Sequence, residues 1–250
     1  MRLVVWNANM AVHRKLDVLA ALGPDIAVIP ECADPDVLGS KASTAVPQMV
    51  WIGNNPNKGL AVFAFGDYSV RLLEEFDPRL EWIAPVRVEG RLPFTLLAAW
   101  CKNHRASQQH PLTSHRRQVE PALTLYRELL DDRSAVVAGD LNSNVCWDVG
   151  KRGSNFSNVV QAAAALDLVS AYHQTRSVDF GAEPDSTLYW QTRTRDGRSY
   201  HIDYCFLPRT RLPYVTVGVG EFDSWVGSGL SDHVPLVVDI DHPQLLASTE

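Results

Sequence analysis

The sequence predicts an α/β protein in which two mixed β-sheets pack face to face with helices on the outside. Three observations carry that expectation. The apolar runs at residues 3–6, 26–29 and 135–138 are continuous rather than alternating, as in strands covered on both faces. Helix-period stretches lie between strand-like runs, with apolar residues at Leu16, Leu19, Ala20 and Leu22 and again at Val119, Leu123, Tyr126 and Leu130. Between them, residues 59–100 read as a meander of strands at 59–65, 68–73, 82–88 and 94–100, with turn signals at Gly66-Asp67 and Glu89-Gly90.

In order, the first 31 residues read strand, helix, strand. Gly23-Pro24 stops the helix, as glycine just past a helix end followed by proline does. The second strand exits at Pro30-Glu31. Residues 33–57, rich in Pro, Asn, Ser and Ala, are expected to be irregular. Residues 101–118 form the most polar loop, a basic patch with Lys102, Asn103, His104, Arg105, His110, His115, Arg116 and Arg117. It reads either as a solvated loop and helix start or as a phosphate-facing loop. One helix is expected up to Asp131, then a buried strand ending at Gly139-Asp140. A polar segment at 143–157 and an alanine-rich helix at 159–168 follow. Further strands are expected at 187–190, 200–207, 214–219 and 234–240, with a charged turn around Asp196-Gly197. No linker composition and no repeat of fixed period divides the chain. Residues 1–242 are therefore expected to be one domain, with 243–250 a frayed tail.

The 250 residues suffice for a large core, and shares of 46% hydrophobic and 21% charged residues are those of a soluble globular protein. Seven tryptophans point to an aromatic core or an aromatic-lined cleft. A net charge of -6 argues against a protein that coats polyanions. It leaves a phosphate substrate open, because a bound dication can supply local positive charge. The four cysteines are scattered without a Cys-x-x-Cys pair, and read as buried free thiols in a reducing compartment rather than as a zinc site. The N-terminus enters a strand-like run with no signal-peptide pattern, and no apolar stretch approaches the ~20 residues of a membrane span. A cytoplasmic location, no membrane association and a monomer are expected.

Polar residues cluster where the apolar runs end: Asn7 and Asn9, Glu31, Asp140 and Asn142, and Asp232 and His233. Asp203 lies inside an apolar run. Carboxylates suit a hard dication such as Mg2+ or Mn2+. Asparagines can hold a metal, a water or a phosphate oxygen, and a histidine can move protons or stabilise charge. A carboxylate at 203 needs a partner. A His233 ring N–H would serve, and so would Arg198 or Arg209 in an ordinary ion pair. Read singly, Gly139-Asp140-Leu141-Asn142 could be a simple Asx turn, and Glu31 a helix-start carboxylate.

Taken in order, Trp6-Asn7, Pro30-Glu31, Gly139-Asp140-Leu141-Asn142, His201-Ile202-Asp203-Tyr204 and Ser231-Asp232-His233 resemble the motifs of the endonuclease/exonuclease/phosphatase superfamily. That superfamily includes pancreatic-type DNases, abasic-site endonucleases, inositol polyphosphate 5-phosphatases and sphingomyelinases. The likeness runs from residue 4 to about residue 240. It implies a DNase I-like, four-layer α/β/β/α sandwich. It also implies roles: Glu31 binds metal, with Asn7 beside it and Asp232 near it. Asp140 activates or orients the attacking water, Asn142 contacts the scissile phosphate, His233 stabilises charge on it, and Asp203 orients His233. Asn103 would contact phosphate and Asn9 would lie in the substrate site. Trp100 departs from the pattern, since many relatives place a tyrosine or histidine there to touch the phosphate. An indole has one N–H donor and no titratable group. Either Trp100 donates that N–H, or His104 has the task, or the correspondence shifts here.

The function expected from this resemblance is divalent-metal-dependent phosphoester hydrolysis with Mg2+ or Mn2+, by a nuclease-like phosphodiesterase acting on DNA or RNA. The alternative is a phosphomonoesterase or small-molecule phosphodiesterase of sugar- or inositol-phosphate type. A non-catalytic binding module on the same fold would have lost Glu31, Asp140 or His233, and all three are present.

Overall fold

A computed structural model of the chain describes residues 1–101, 118–131, 133–148, 155–191 and 193–241. Strands β1 (Arg2–Val5) and β2 (Ile26–Cys32) run parallel, with Leu3 opposite Ile26. They form the centre of a six-stranded sheet. One side continues through β4 (Lys58–Ala64) to β3 (Gln48–Asn55), and the other through β14 (Leu236–Ile240) to β13 (Val215–Val219). The second six-stranded sheet has the order β5 (Ser69–Leu72), β6 (Ile83–Glu89), β7 (Phe94–Trp100), β8 (Val136–Asp140), β12 (Asp203–Pro208), β9 (Leu168–Ser170). Only β7 and β8 run parallel in it. A short ribbon of β10 (Leu188–Tyr189) and β11 (Ser199–Tyr200) stands apart.

Side-chain alternation builds four layers. Leu3, Val5, Ile26 and Val28 of the first sheet share one core with Leu96, Ala98, Val136 and Cys205 of the second. Their neighbours Val4, Trp6, Ala27 and Ile29 point the other way, onto α1 (Leu16–Ala21) and α2 (Pro35–Lys41). On the far side, Leu97, Ala99, Val137 and Phe206 meet α3 (Val119–Leu125), α4 (Arg127–Leu130) and α5 (Phe156–Ala164). Strands buried on both faces are why the sequence shows continuous apolar runs, and each such Val or Leu contributes about 1.5–3 kcal/mol by leaving water. The expected sandwich and its four layers are therefore observed, and Gly23 takes the left-handed φ of +62° that the helix stop requires.

Several expectations are corrected. Residues 33–57 are not irregular. Asp34 caps α2 by accepting from the Val37 backbone N–H at 2.7 Å, Pro35 starts the helix, and β3 follows. β3 lies at a sheet edge and is mostly half-buried or exposed, so it lacks the apolar run that marks a central strand. The helix up to Asp131 is broken at Tyr126, whose φ of -93° and ψ of 20° separate α3 from α4. The alanine-rich helix is Phe156–Ala164, so Leu168 belongs to β9. The strand expected at 200–207 is interrupted at His201-Ile202. A further helix, α6 (Ala171–Arg176), follows β9 directly. All four cysteines are free, but Cys146 is exposed because it lies in the polar loop after β8 rather than beside an apolar run. The 102–117 patch and the tail at 243–250 lie outside the described residues. No described helix is long and apolar enough to cross a membrane.

Candidate active site

The central strands of both sheets end at one place. β8 delivers Asp140, and the antiparallel register with β12 sets Asp203 directly opposite it. Both are fully buried. On the other side of β8, Gly139 lets β7 approach: a Cβ there would lie 1.8 Å from the Ala99 carbonyl oxygen, and its φ of +150° excludes ordinary L-residues. From the first sheet, β1 brings Asn7, whose Nδ2 donates to Asp140 Oδ2 at 3.0 Å. The turn before β14 brings His233, whose Nδ1 meets Asp203 Oδ2 at 2.9 Å.

These groups are fixed by a frame. Trp6 Nε1 donates to the His233 carbonyl at 3.1 Å. The Ser231 hydroxyl donates to the Asn7 carbonyl at 2.7 Å and accepts from the His233 backbone N–H at 3.0 Å. Thr187 Oγ1 accepts from the backbone N–H groups of Ile202 and Asp203 at 3.0 and 3.1 Å. Leu188 bridges to His233, and Tyr189 N–H donates to the Asp232 carbonyl at 2.8 Å. Asn142 turns back in the left-handed region, φ +49°, where asparagine is tolerated, and its N–H donates to Asp140 Oδ1 at 2.9 Å.

The electrostatics are unequal. Burial, then the facing Asp203 carboxylate, push the Asp140 carboxyl up to about 7, against the His233 charge and the Asn7 and Asn142 hydrogen bonds. Burial opposes a charged His233, but Asp203, Asp140 and Asp232 together outweigh it and raise the imidazole to about 9. An Nδ1–H given to Asp203 leaves Nε2 as the ring's other donor. Asp203 Oδ1 is buried and has no hydrogen-bond partner among the described residues.

Four more predicted residues are described: Glu31, Trp100, Asp232 and Asn9. Glu31 lies within β2, not beyond its end. The register with β4 shifts between Pro30 and Cys32, and Glu31 adopts φ +61° at that bulge, which re-aims its side chain. Its Oε2 pairs with Lys58 Nζ at 3.0 Å, and the same ammonium lies 5.4 Å from the Trp100 ring centroid. Trp100 is buried, stands opposite Asp140 in the parallel β7–β8 register, and packs edge-on against Trp82 at 5.0 Å. Asp232 pairs with Arg193 at 3.4 Å. Asn9 donates its N–H to Asn7 Oδ1 at 3.0 Å. Asn103 and His104 lie outside the described residues. The ordinary ion-pair reading of Asp203 does not hold: its partner is His233, and Arg209 pairs with Asp167.

The sequence reading missed Thr187, Lys15 and Lys58. Thr187 and Lys58 carry no pattern beyond a strand start. Lys15 does leave a trace: it occupies the N-cap of α1, where a cation opposes the helix dipole. That misplacement could have flagged a task elsewhere.

A divalent metal fits this donor set. Oxygen donors of Glu31, Asp232, Asp140 and Asn7 suit a hard dication. Ligand atoms of Asp140, Asp203 and His233 all fall within 4.8 Å of one another. The 2.9 Å contact between Asp203 and His233 already uses two of those atoms, while Glu31 and Asp232 are paired with Lys58 at 3.0 Å and Arg193 at 3.4 Å.

Comparison with known proteins follows the same lines. The profile of the endonuclease/exonuclease/phosphatase family matches residues 4–233. No curated protein sequence matches the chain. Among solved structures, an AP endonuclease from Leishmania major is similar at 14% identity and a TM-score of 0.66, covering 97% of this chain and 88% of that one. A 3'-5' exonuclease from Neisseria meningitidis is 20% identical with a TM-score of 0.65, over 97% and 100% of the two chains. A structure described as a 3' phosphatase from Neisseria, bound to product DNA hairpin, gives 18% and 0.63 over the same shares. At these identities the likeness is one of fold.

Proposed function

The chain belongs to the endonuclease/exonuclease/phosphatase family, and from that premise we propose that it is a divalent-metal-dependent phosphoester hydrolase, a nuclease-like phosphodiesterase acting on DNA or RNA. The observation that carries this reading is the buried Asp140–Asp203–His233 arrangement, with an imidazole raised to about 9 beside a carboxyl raised to about 7. Both groups are shifted upward, so near neutral pH the imidazole stays charged while the carboxyl is poised to take a proton, two different proton tasks in one site.

In this reading Asp140 orients the attacking water and takes its proton. His233, kept charged and aimed by Asp203, stabilises negative charge building on the phosphoryl oxygens, and Asn142 assists. Asn7 holds Asp140 in place and presents its carbonyl-side oxygen towards the Asn9 turn. A Mg2+ or Mn2+ ion held by Glu31, with Asp232 and Asn7, would polarise the phosphoryl oxygen as a Lewis acid. Trp100 walls the site, while Asn9, Asn103 and His104 serve substrate binding. Residues 1–242 are taken as one domain, because β1 and β14 pair across nearly the whole chain. Free thiols suit a reducing, cytoplasmic setting.

The second reading is a phosphomonoesterase. The Neisseria neighbour is described both as an exonuclease and as a 3' phosphatase, so one fold accommodates both ester types. The deciding experiment is turnover of bis(p-nitrophenyl) phosphate against p-nitrophenyl phosphate with Mg2+, Mn2+ or EDTA. Metal-dependent cleavage of the diester is expected. Preference for the monoester would put the second reading first, and turnover in EDTA equal to that in Mg2+ would remove the metal.

A further inference from the structure

Beneath the first loop of the site lies a lysine that the mechanism above does not use. Lys15 is 9% exposed, unusual for this side chain. Its Nζ donates to the carbonyl oxygens of Ala8 and of Met10, the latter at 2.9 Å. Above it, three successive non-glycine residues take left-handed backbone: Asn9 at φ +49°, Met10 at +65° and Ala11 at +51°. Each such residue costs roughly 1–2 kcal/mol, and a run of three persists only where the surroundings over-determine it. The described contacts on this turn are the Lys15 ammonium, an Asn9 N–H on Asn7 Oδ1 and an Arg14 N–H on the Ala11 carbonyl at 3.0 Å. Asn7, at the foot of the turn, is the residue that grips Asp140.

The ammonium also has a charge role. Asp232 and Glu31 both act on Lys15 electrostatically and favour its charged form, against burial and Arg193. Burial dominates and brings this lysine down to about 8. The two carboxylates thereby help keep the ammonium protonated, and its field acts on them in return. An ammonium gives three donors from one point, and two are directed at Ala8 and Met10.

We propose that Lys15 is a positioning residue of the hydrolytic site: it pins the left-handed 9–11 turn that aims Asn7 at Asp140, and it supplies a fixed positive charge to Glu31 and Asp232. The proposal rests on the hydrolase reading above. It has an uncommon signature. Removing the charge makes the carboxylates a stronger dication site, while loosening Asn7 slows turnover. Damage to the fold alone would weaken both.

The test uses the full chain and three variants. Mn2+ binding is measured by calorimetry and by paramagnetic resonance, turnover with bis(p-nitrophenyl) phosphate, and stability by thermal melting. Lys15→Met is expected to bind Mn2+ about threefold to tenfold more tightly, as loss of one nearby charge predicts. Its kcat is expected to fall about tenfold or more with KM within about twofold, as for a misplaced group. Lys15→Arg, which keeps the charge, is expected to return Mn2+ affinity towards wild type. If Lys15→Met fails to fold, Lys15→Gln takes its place, since its amide still donates to the turn but carries no charge. Unchanged or weaker Mn2+ binding in the neutral variant overturns the proposal, as does a fall in turnover that merely tracks the melting temperature. If the wild type binds no Mn2+ and cleaves neither ester, the hydrolase reading falls and this proposal with it. If the wild type does both and Lys15→Met matches it, Lys15 alone is excluded.

Discussion

Two buried polar clusters flank the start of β12, and they are built on opposite terms. One is Asp140, Asp203 and His233. The other is Ser170, His173, Glu183 and Asn144, behind the same strand. In the second, Glu183 Oε1 accepts three hydrogen bonds, from His173 Nε2 at 3.0 Å, Asn144 Nδ2 at 3.1 Å and the Gly181 N–H at 2.9 Å. Ser170 Oγ meets His173 Nδ1 at 2.8 Å, and Tyr204 donates its hydroxyl to the His201 carbonyl at 2.8 Å. Burial alone would raise the Glu183 carboxyl, but these donors overcome it and hold it at about 2. The first cluster crowds two carboxylates together, leaves one oxygen without a donor, and lifts Asp140 to about 7. A serine, a histidine and an acid in line thus form the structural cluster, while the poorly satisfied one is the candidate for chemistry. Satisfaction of charge separates them better than residue type does.

The sharpest way to break this contrast is Asp140→Asn. Turnover should fall by about 10³-fold or more, as for loss of a general base, while folding is unharmed. Because Asp140 is raised from 3.8 to about 7, its favourable contribution is complete below pH 3.8 and lost as pH rises through about 7. In EDTA the variant should therefore melt at or above the wild-type temperature at pH 8, and the gap should close towards pH 4. A variant that is destabilised at pH 8 and fully active per folded molecule would make Asp140 structural. Next, His233→Ala should cost about 10²–10³-fold in kcat, and Asp203→Ala less, since Asp203 acts through the ring it holds. The reverse order would assign Asp203 a direct role.

Glu183→Ala tests the other side. Three donors lose their acceptor, so stability should drop by about 2–3 kcal/mol in urea unfolding, with turnover per folded molecule unchanged. A kinetic defect without unfolding would merge the two clusters. The smallest effect is a slope. Glu183 is lowered from 4.5 to about 2, so its contribution is present above pH 4.5 and is lost as pH falls through about 2. Acid unfolding of Glu183→Gln should be flatter than wild type across that window, opposite in sense to the Asp140 effect.

Much of this was legible in the sequence for a definite reason. Central strands buried on both faces must be apolar throughout, so Leu3, Ile26 and Val136 announce β1, β2 and β8, and the first polar residue after them marks the sheet's end at Asn7 and Asp140, though at Glu31 it marks a bulge within β2. Asn7, Asp140 and the His233–Asp203 pair follow from that logic together with the resemblance. The edge strand β3 and the capped helix α2 did not, because half-buried elements need no apolar run and Asp34-Pro35 resembles any turn. Thr187, Lys15 and Lys58 were hidden for a different reason. Their tasks depend on which groups the folded turns set beside them, Ala8 and Met10 for Lys15, Glu31 for Lys58 and the Ile202 and Asp203 N–H groups for Thr187, and no local pattern announces those meetings.

The first and last described strands, β1 and β14, are neighbours in one sheet, and Asn7 and Ser231 are joined across 224 residues of chain. That adjacency imposes a schedule on the protein's birth. A ribosome adding about 5–20 residues per second needs roughly 10–45 s to pass from one to the other. Until then β1 has β2 beside it but no partner on its other edge, and Asn7 and Asp140 have no His233 to work with. A nascent chain therefore holds β1, β2 and Asp140 for that interval without the imidazole that completes the buried cluster.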